Sequence, residues 1–141
     1  MDTVKLKWHG PYLLARAYIP EIIFEKGIYA ISRKWGNIEK LLYVGRTLRS
    51  LEQRVYEHEW WLRDLRGKVL IRYGVFDLRT GQRFSKKKLA DVEALLITWH
   101  QPPENTMNGH YYYGRPLLTV INSGRRGLLC SKVSTLDLED A

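Results

Sequence analysis

The order of hydrophobic patterns along the chain predicts an α+β domain with a small, mainly antiparallel three-stranded sheet flanked by helices. Two apolar runs, 27–33 and 40–46, are separated by Gly36 and Asn37, a pair typical of a β-hairpin. A third apolar run, 69–78, lies between two stretches with helical periodicity. The element order is therefore strand, strand, helix, strand, helix.

The two helices are predicted from apolar residues that recur every three or four positions. The first follows Ser50, with Gln53 at capping-box spacing, and ends before Gly67. Its predicted buried stripe is Leu51, Val55, His58, Leu62 and Leu65. The second follows Ser85 and stops at Pro102 and Pro103. Its predicted stripe is Leu89, Val92, Leu96 and Trp99.

The length of 141 residues fits one domain, 1–141. A net charge of +8 favours a polyanionic partner such as nucleic acid, although a solvated basic surface explains the charge equally well. The single cysteine, Cys130, cannot form an internal disulfide, which indicates a reducing compartment. No signal peptide or apolar stretch of about 20 residues is present, so we expect a soluble cytoplasmic protein without a membrane partner.

Three sets of polar residues interrupt these patterns. Glu93 borders the apolar stripe of the second helix, where a carboxylate needs a metal or a paired arginine. Arg54 and His58 lie one helical turn apart and could grip a phosphate, although a histidine on an apolar face is usually a core residue. Tyr29 and Tyr43 come opposite each other if the hairpin turns near Gly36, and simple packing would also explain them.

Taken together, these residues resemble the GIY-YIG nuclease superfamily. Gly27-Ile28-Tyr29 and Tyr43-Val44-Gly45 match the two triplets of that family, with Val44 in place of the middle isoleucine. Arg54 and His58 on the first helix, Glu93 on a later helix and Asn105 after a proline follow in the family's order. The resemblance places the catalytic core at about 26–108, with an N-terminal extension 1–25 and a C-terminal extension 109–141.

The resemblance implies a metal-dependent endonuclease acting on DNA. It makes Glu93 the ligand of one Mg²⁺ or Mn²⁺ ion that acts on the 3′ leaving oxygen. It makes Tyr29 the general base or part of the relay that deprotonates water. Because a free phenol has a pKa near 10, Tyr29 would need a cationic neighbour, either Arg46 or Arg54.

The remaining residues have supporting roles by the same resemblance. Tyr43 would bond the phosphate or water, Arg54 would stabilise the developing charge, and His58 would position the nucleophile or bind the phosphate. Asn105 would hold local structure or contact the substrate, with Asn108 as a rival for that position.

The basic charge outside this set predicts further DNA contacts. Arg46 after the second triplet is one predicted contact. Lys86, Lys87 and Lys88 open the second helix and could also neutralise phosphates, although a solvated face is at least as good an explanation for each lysine. Specificity would come from the short extensions, a homodimer or a partner protein. The competing interpretation is a non-catalytic, basic nucleic-acid-binding module that retains the nuclease fold.

Overall fold

Six strands and two helices make up the part of the chain that the computed structural model describes. That part comprises residues 2–14, 26–48, 51–63, 65–78, 82–105 and 111–138, with only the backbone at 51 and 52. The strands are β1 (Asp2–Leu13), β2 (Gly27–Trp35), β3 (Ile38–Thr47), β4 (Lys68–Phe76), β5 (Leu118–Gly124) and β6 (Lys132–Ser134). The helices are α1 (Leu51–Leu62) and α2 (Lys86–His100), and a 3-10 turn spans Thr135–Leu138.

The strands form one mixed sheet in the order β3-β2-β4-β1-β5-β6. The β1–β5 pair is parallel and every other neighbouring pair is antiparallel. The α+β class and the predicted order of elements from β2 to α2 are confirmed. The prediction of a small three-stranded sheet is wrong, because β1, β5 and β6 extend the β3-β2-β4 unit into a sheet twice as wide.

The first strand joins the sheet through a strict alternation of side chains. Val4, Leu6 and Trp8 are buried, whereas Lys5 and Lys7 between them are partly or fully exposed. Period-two burial is the mark of a strand with one face on the core. The indole of Trp8 lies over Gly74 of β4, and its N–H donates to the Asn122 side chain of β5 at 2.8 Å. β1 therefore ties the two halves of the sheet together.

The β2–β3 hairpin has a register that corrects the predicted pairing of its tyrosines. Trp35 pairs with Ile38 around a two-residue turn in which Gly36 has φ +58. Between the Ile31–Tyr43 and Ser32–Leu41 pairs, β3 carries one extra residue, a β-bulge. The two-residue turn alone would place Val44 opposite Tyr29, and the bulge shifts the register by one more residue, so Tyr29 lies opposite Gly45 rather than Tyr43. The two tyrosines still share a face, with ring centroids 5.9 Å apart.

The sheet has a hydrophobic cluster on each face. On the α1 face, Val55 and Leu62 of the helix pack with buried residues of β2 and β4, namely Tyr29, Ile31, Val69, Ile71 and Tyr73. On the other face, α2 packs against β2, β3 and β6. Because β3 and β6 are the opposite edges of the sheet, α2 can contact both only if the sheet curls around it. The domain is thus a curled sheet between two helices.

The ends of α2 follow the sequence prediction, whereas part of its stripe does not. The Ser85 side chain accepts the Lys88 N–H at 3.0 Å, and the helix ends at His100, before a left-handed Gln101 with φ 49. Leu89, Val92 and Leu96 are buried, but Trp99 is 41% exposed because burial on α2 ends at Ile97. The last turn of the helix projects beyond the core.

The predicted stripe of α1 agrees with the structure at Val55, His58 and Leu62. Val55 and Leu62 are buried and His58 is half-buried, as a stripe requires. The helix ends at Leu62, so Leu65 lies beyond it while packing on the same cluster. The proposed Ser50 cap and the Leu51 side chain lie outside the described residues.

Across the described chain, no helix has the length and apolarity needed to span a membrane.

Candidate active site

Three aromatic side chains from three elements meet on the α1 face of the sheet. Tyr29 is fully buried, and its hydroxyl lies 2.8 Å from Nε2 of His58. The Tyr43 ring lies 4.6 Å from the His58 ring, centroid to centroid. The phenol of Tyr29 crosses the strand at Gly45, where a Cβ would collide with the ring. The glycine of the second triplet is therefore required for Tyr29 to reach His58.

His58 is engaged at both ring nitrogens. Nε2 contacts Tyr29, and Nδ1 lies 3.0 Å from the indole Nε1 of Trp61. Burial lowers the pKa of His58 to about 4, helped by the charge of Arg54 and opposed by Glu57. His58 is accordingly neutral at pH 7. Sequence reasoning missed Trp61, although its i+3 spacing from His58 was a usable signal.

The two arginines that sequence reasoning left as alternatives occupy different positions. Arg54 is the cation whose charge acts on the Tyr29 phenol, and it also bonds Glu57 at 2.7 Å. Arg46 instead forms an ion pair with Glu93. The pKa of Tyr29 is nevertheless raised well above its usual value, because burial and the neighbouring Tyr43 outweigh the charge of Arg54. Tyr29 therefore keeps its proton at neutral pH in the substrate-free protein.

Glu93 is buried on α2, with its side chain 11% exposed. Burial raises the pKa of its carboxyl, whereas Arg46 and, more weakly, Arg54 lower it. The contact with Arg46 is the rim pairing that sequence reasoning kept as the alternative to a metal. The Arg46 side chain is 43% exposed, so it can leave the carboxylate with little repacking. Arg54 links the two parts of the site, since its charge acts on both Tyr29 and Glu93.

The donor atoms limit which metal the site could hold. Within the described ranges, no group of three or more His, Cys, Asp or Glu residues could hold a metal ion. A cage made only of protein ligands is therefore not formed there. Mg²⁺ keeps several waters and needs only one or two carboxylates besides substrate phosphate, so one carboxylate can suffice. Glu93 could serve as that ligand only once Arg46 leaves it, because its carboxylate is buried and ion-paired.

Asn105 holds the segment after α2 against the edge strand β3. Its Oδ1 accepts the Val44 N–H at 3.0 Å, and its Nδ2 donates to the Val44 carbonyl at 2.8 Å. The Glu104 N–H donates to the Leu42 carbonyl at 2.9 Å, which extends the contact. Asn105 thus satisfies the backbone of the second triplet as a neighbouring strand would. Asn108, the rival position, lies outside the described residues.

A cavity of about 450 Å³ opens beside the aromatic cluster. Four of its wall residues were not anticipated from the sequence, namely Glu57, Trp60, Trp61 and Glu104, and Trp60 is 71% exposed. The complete lining is Tyr43, Arg54, Glu57, His58, Trp60, Trp61 and Glu104. The cavity joins the Arg54 cation, a neutral imidazole and exposed aromatic surface with the carboxylates of Glu57 and Glu104.

The three lysines stand apart from this cluster, at the beginning of α2. Lys88 donates to the Arg83 carbonyl at 3.0 Å, and the Lys87 ammonium lies 3.6 Å from Asp91. Lys86 is exposed. They precede Glu93 by up to two helical turns, and none lines the cavity beside His58. The structure therefore brings together Tyr29, Tyr43, Arg54 and His58, places Arg46 with Glu93, and leaves the lysine run as a separate basic surface.

Comparison with known proteins agrees with this arrangement. Neither the curated proteins nor the solved structures contain a match to the chain. The family model of the GIY-YIG catalytic domain matches residues 25–114, which is more than half of the chain. The matched range includes both triplets, α1 and α2 with their polar residues, and Asn105. The chain therefore belongs to the GIY-YIG family of nuclease catalytic domains.

Proposed function

We propose that this protein is a divalent-metal-dependent endonuclease that hydrolyses DNA phosphodiester bonds by a single-metal, tyrosine-assisted mechanism. The observation that supports it best is the convergence of Tyr29, His58 and Arg54 beside an open cavity, with the charge of Arg54 also acting on Glu93. Such a site offers a phenol, a cation and a carboxylate to one phosphate, with His58 in contact with the phenol. Those are the groups that phosphodiester hydrolysis needs.

Glu93 would hold one Mg²⁺ or Mn²⁺ ion, which when bound neutralises phosphate charge and stabilises the 3′ leaving oxygen. Arg46 would then exchange the carboxylate for a DNA phosphate, as its half-exposed side chain permits. Arg54 would bind the phosphate through its planar guanidinium and stabilise the charge that develops during attack. Asn105 would keep the second triplet in place through its two bonds to Val44.

Tyr29 and Tyr43 would handle the attacking water. Tyr43 lines the cavity and would bond the water or the phosphate, while Tyr29 would accept the proton of that water. Because burial raises the pKa of Tyr29, the phenolate is a minor species at pH 7. The cleavage rate should therefore rise with pH, about tenfold per unit, through the neutral and mildly alkaline range.

The runner-up is a nucleic-acid-binding module that retains the fold but does not cut DNA. The Arg46–Glu93 ion pair favours it, because the carboxylate already has a partner. Nicking of supercoiled plasmid with Mg²⁺ or Mn²⁺ separates the two functions. The wild-type protein should convert plasmid to the nicked form only when metal is present. No cleavage of plasmid, branched and single-stranded DNA would leave the binding module, whereas cleavage without metal would refute the metal dependence.

The Glu93→Gln variant tests the metal ligand. It keeps the shape of the side chain but removes the charge, so we expect at least a hundredfold loss of cleavage with DNA binding retained. Asp77→Asn is the matched control, since it removes one negative charge beyond the end of β4 and should cleave as the wild type does. Equal cleavage by Glu93→Gln and Asp77→Asn would refute the metal role of Glu93.

The Tyr29→Phe variant tests the base. We expect a loss of at least a hundredfold in kcat and little change in the Kd for DNA. Between pH 7 and 9, the residual cleavage rate of the variant should rise less steeply with pH than the wild-type rate does. A variant that retained both the rate and the slope would show that another group deprotonates the water.

A further inference from the structure

The His58 ring lies between the Trp61 indole, which can only donate a hydrogen bond, and the Tyr29 phenol. Trp61 approaches Nδ1 with its indole Nε1 at 3.0 Å, and the two rings are nearly perpendicular at 86°. An indole nitrogen carries a hydrogen and can only donate. Nδ1 must therefore present its lone pair to Trp61 and carry no proton. At its other nitrogen, Nε2, the ring lies 2.8 Å from the Tyr29 hydroxyl.

A neutral imidazole with a bare Nδ1 carries its hydrogen on Nε2. We infer that Trp61 is a positioning residue that locks His58 in the Nε2–H tautomer, so that His58 donates a hydrogen bond to Tyr29 and does not accept the Tyr29 proton. The Tyr29 oxygen then accepts a hydrogen bond from His58 and leaves its own O–H for the water, the phosphate or Tyr43. The structural part of this inference is independent of the proposed nuclease activity, while its catalytic consequence rests on it.

The surroundings of the ring agree with a neutral donor. Among the described residues, the titratable and charged groups that contact His58 or line the cavity with it are Tyr29 on β2, Tyr43 on β3, Arg54 and Glu57 on α1, and Glu104 after α2. Arg54 disfavours a second positive charge on the ring, and burial does so more strongly, which keeps the pKa of His58 near 4. A neutral donor N–H beside Tyr29 stabilises a developing phenolate without repelling Arg54. His58, like Arg54, thereby favours the deprotonated form of the Tyr29 phenol.

A second histidine provides an internal reference of the opposite tautomer. His100 accepts the Cys130 N–H at Nε2, at 3.0 Å, and its Nδ1 lies 2.9 Å from the Leu96 carbonyl. Since a carbonyl only accepts, Nδ1 of His100 carries the hydrogen. His58 and His100 are therefore opposite neutral tautomers.

The tautomers can be read directly by two-bond ¹H–¹⁵N correlation NMR on protein labelled with ¹⁵N-histidine, at pH 7. His58→Gln and His100→Gln spectra assign the two rings. The wild type should show His58 as Nε2–H and His100 as Nδ1–H. In Trp61→Phe, which keeps an aromatic ring but lacks the N–H, the His58 pattern should change to a tautomer mixture or to Nδ1–H, with His100 unchanged. Trp60→Phe, the exposed neighbour, should leave the His58 pattern as in the wild type.

Kinetics tests the consequence for cleavage. We expect Trp61→Phe to lower kcat about tenfold, the effect of one misdirected hydrogen bond of about 1.4 kcal/mol, with KM for DNA changed less than twofold. A wild-type His58 found as Nδ1–H, or an unchanged pattern in Trp61→Phe, overturns the tautomer lock whether or not the protein cuts DNA. A shifted tautomer with an unchanged kcat overturns the catalytic consequence alone, and failure of the nuclease proposal leaves the NMR result intact.

Discussion

Burial sets the protonation of both central residues of the site, Tyr29 and His58. Desolvation disfavours the charged form of any group, so it raises the pKa of the phenol and lowers the pKa of the imidazole. Both side chains are consequently neutral at pH 7, in contact with each other and close to Arg54. Tyr29 and His58 are thus a preorganised, uncharged pair, and their hydrogen bonds determine which atoms carry the protons.

The lowered pKa of His58 predicts a pH-dependent contribution to stability. In the unfolded chain His58 takes up a proton below about pH 6.5, whereas in the folded protein it does so only below about pH 4. The unfolded state therefore binds more protons between these values, and the free energy of unfolding falls as the pH falls from 6.5 to 4. Chemical denaturation of the wild type and His58→Gln at both pH values measures this contribution.

The wild type should lose more unfolding free energy between pH 6.5 and 4 than His58→Gln does, because glutamine does not titrate. The difference should vanish above pH 7. Parallel loss in the two proteins would show that His58 ionises equally in the folded and unfolded states. Comparison with the variant removes the contribution of every carboxylate that titrates in the same range.

Sequence could identify the polar residues of the site but not their partners. Arg46 and Arg54 were equal candidates for the cation beside Tyr29, since a spacing along one chain does not say which face of the sheet a side chain reaches. The fold separates them: Arg54 on α1 acts on Tyr29, while Arg46 on β3 meets Glu93 of α2. Trp61 was overlooked for a related reason, because its indole N–H acquires a role only once His58 is turned towards Tyr29.

At the level of elements, β3 is exposed to solvent on one edge unless another segment covers it. An unpaired strand edge is a site for unwanted pairing, and proteins often cover it with a loop. Here the segment after α2 provides the cover, through Asn105 on Val44 and Glu104 on Leu42. The same contacts fix the second triplet, so edge protection and site geometry depend on one side chain.

Replacing Asn105 tests this dual role. Asn105→Ala removes both hydrogen bonds to Val44 and leaves the backbone N–H and carbonyl of Val44 without these partners. We therefore expect a loss of about 1–3 kcal/mol in the free energy of unfolding and reduced cleavage. Asn105→Asp keeps the acceptor for the Val44 N–H but loses the donor to its carbonyl, and it should fall between wild type and alanine. Urea denaturation and plasmid nicking measure the two effects; an alanine variant with wild-type stability would contradict the role as a clasp.

Local patterns predicted β2, β3, α1, β4 and α2 because each has its signal within a short window. The hairpin turn and the Ser85 cap are both contained in a few residues. The β-bulge opposite Ile31 carries no such signal, and it changed which residue lies opposite Tyr29. β1 shows an alternation at Val4, Leu6 and Trp8 that was readable, but its place beside β4 and β5 depends on pairing between distant parts of the chain.

On the scale of the whole molecule, the curled sheet determines where charge can act. β1 lies between the hairpin half, which carries the site, and the β5–β6 half. α2 packs inside the curled sheet and carries two proposed functions. Glu93, the proposed metal ligand, lies in its middle, and the lysine run, the proposed phosphate contact, lies at its beginning.

The lysine run gives the last prediction, which combines stability with DNA affinity. Three cations at the N-terminus of a helix oppose its dipole, at roughly 0.3–1 kcal/mol each when exposed. The net charge of +8 favours DNA, and each lysine that contacts a phosphate adds about 0.9 to the slope of log K against log salt.

Replacing Lys86, Lys87 and Lys88 by glutamine should therefore leave the protein as stable as the wild type or more stable, while the salt slope for DNA binding falls by about 1 for each lysine that touches phosphate. Fluorescence anisotropy with labelled DNA at several salt concentrations measures the slope, and thermal unfolding measures the stability. Lys132→Gln, on the far edge strand β6, is the single-charge control and should change the slope least. A triple variant with the wild-type slope would make the lysine run a solvated surface, because a cation that neutralises a phosphate must release counterions when it binds.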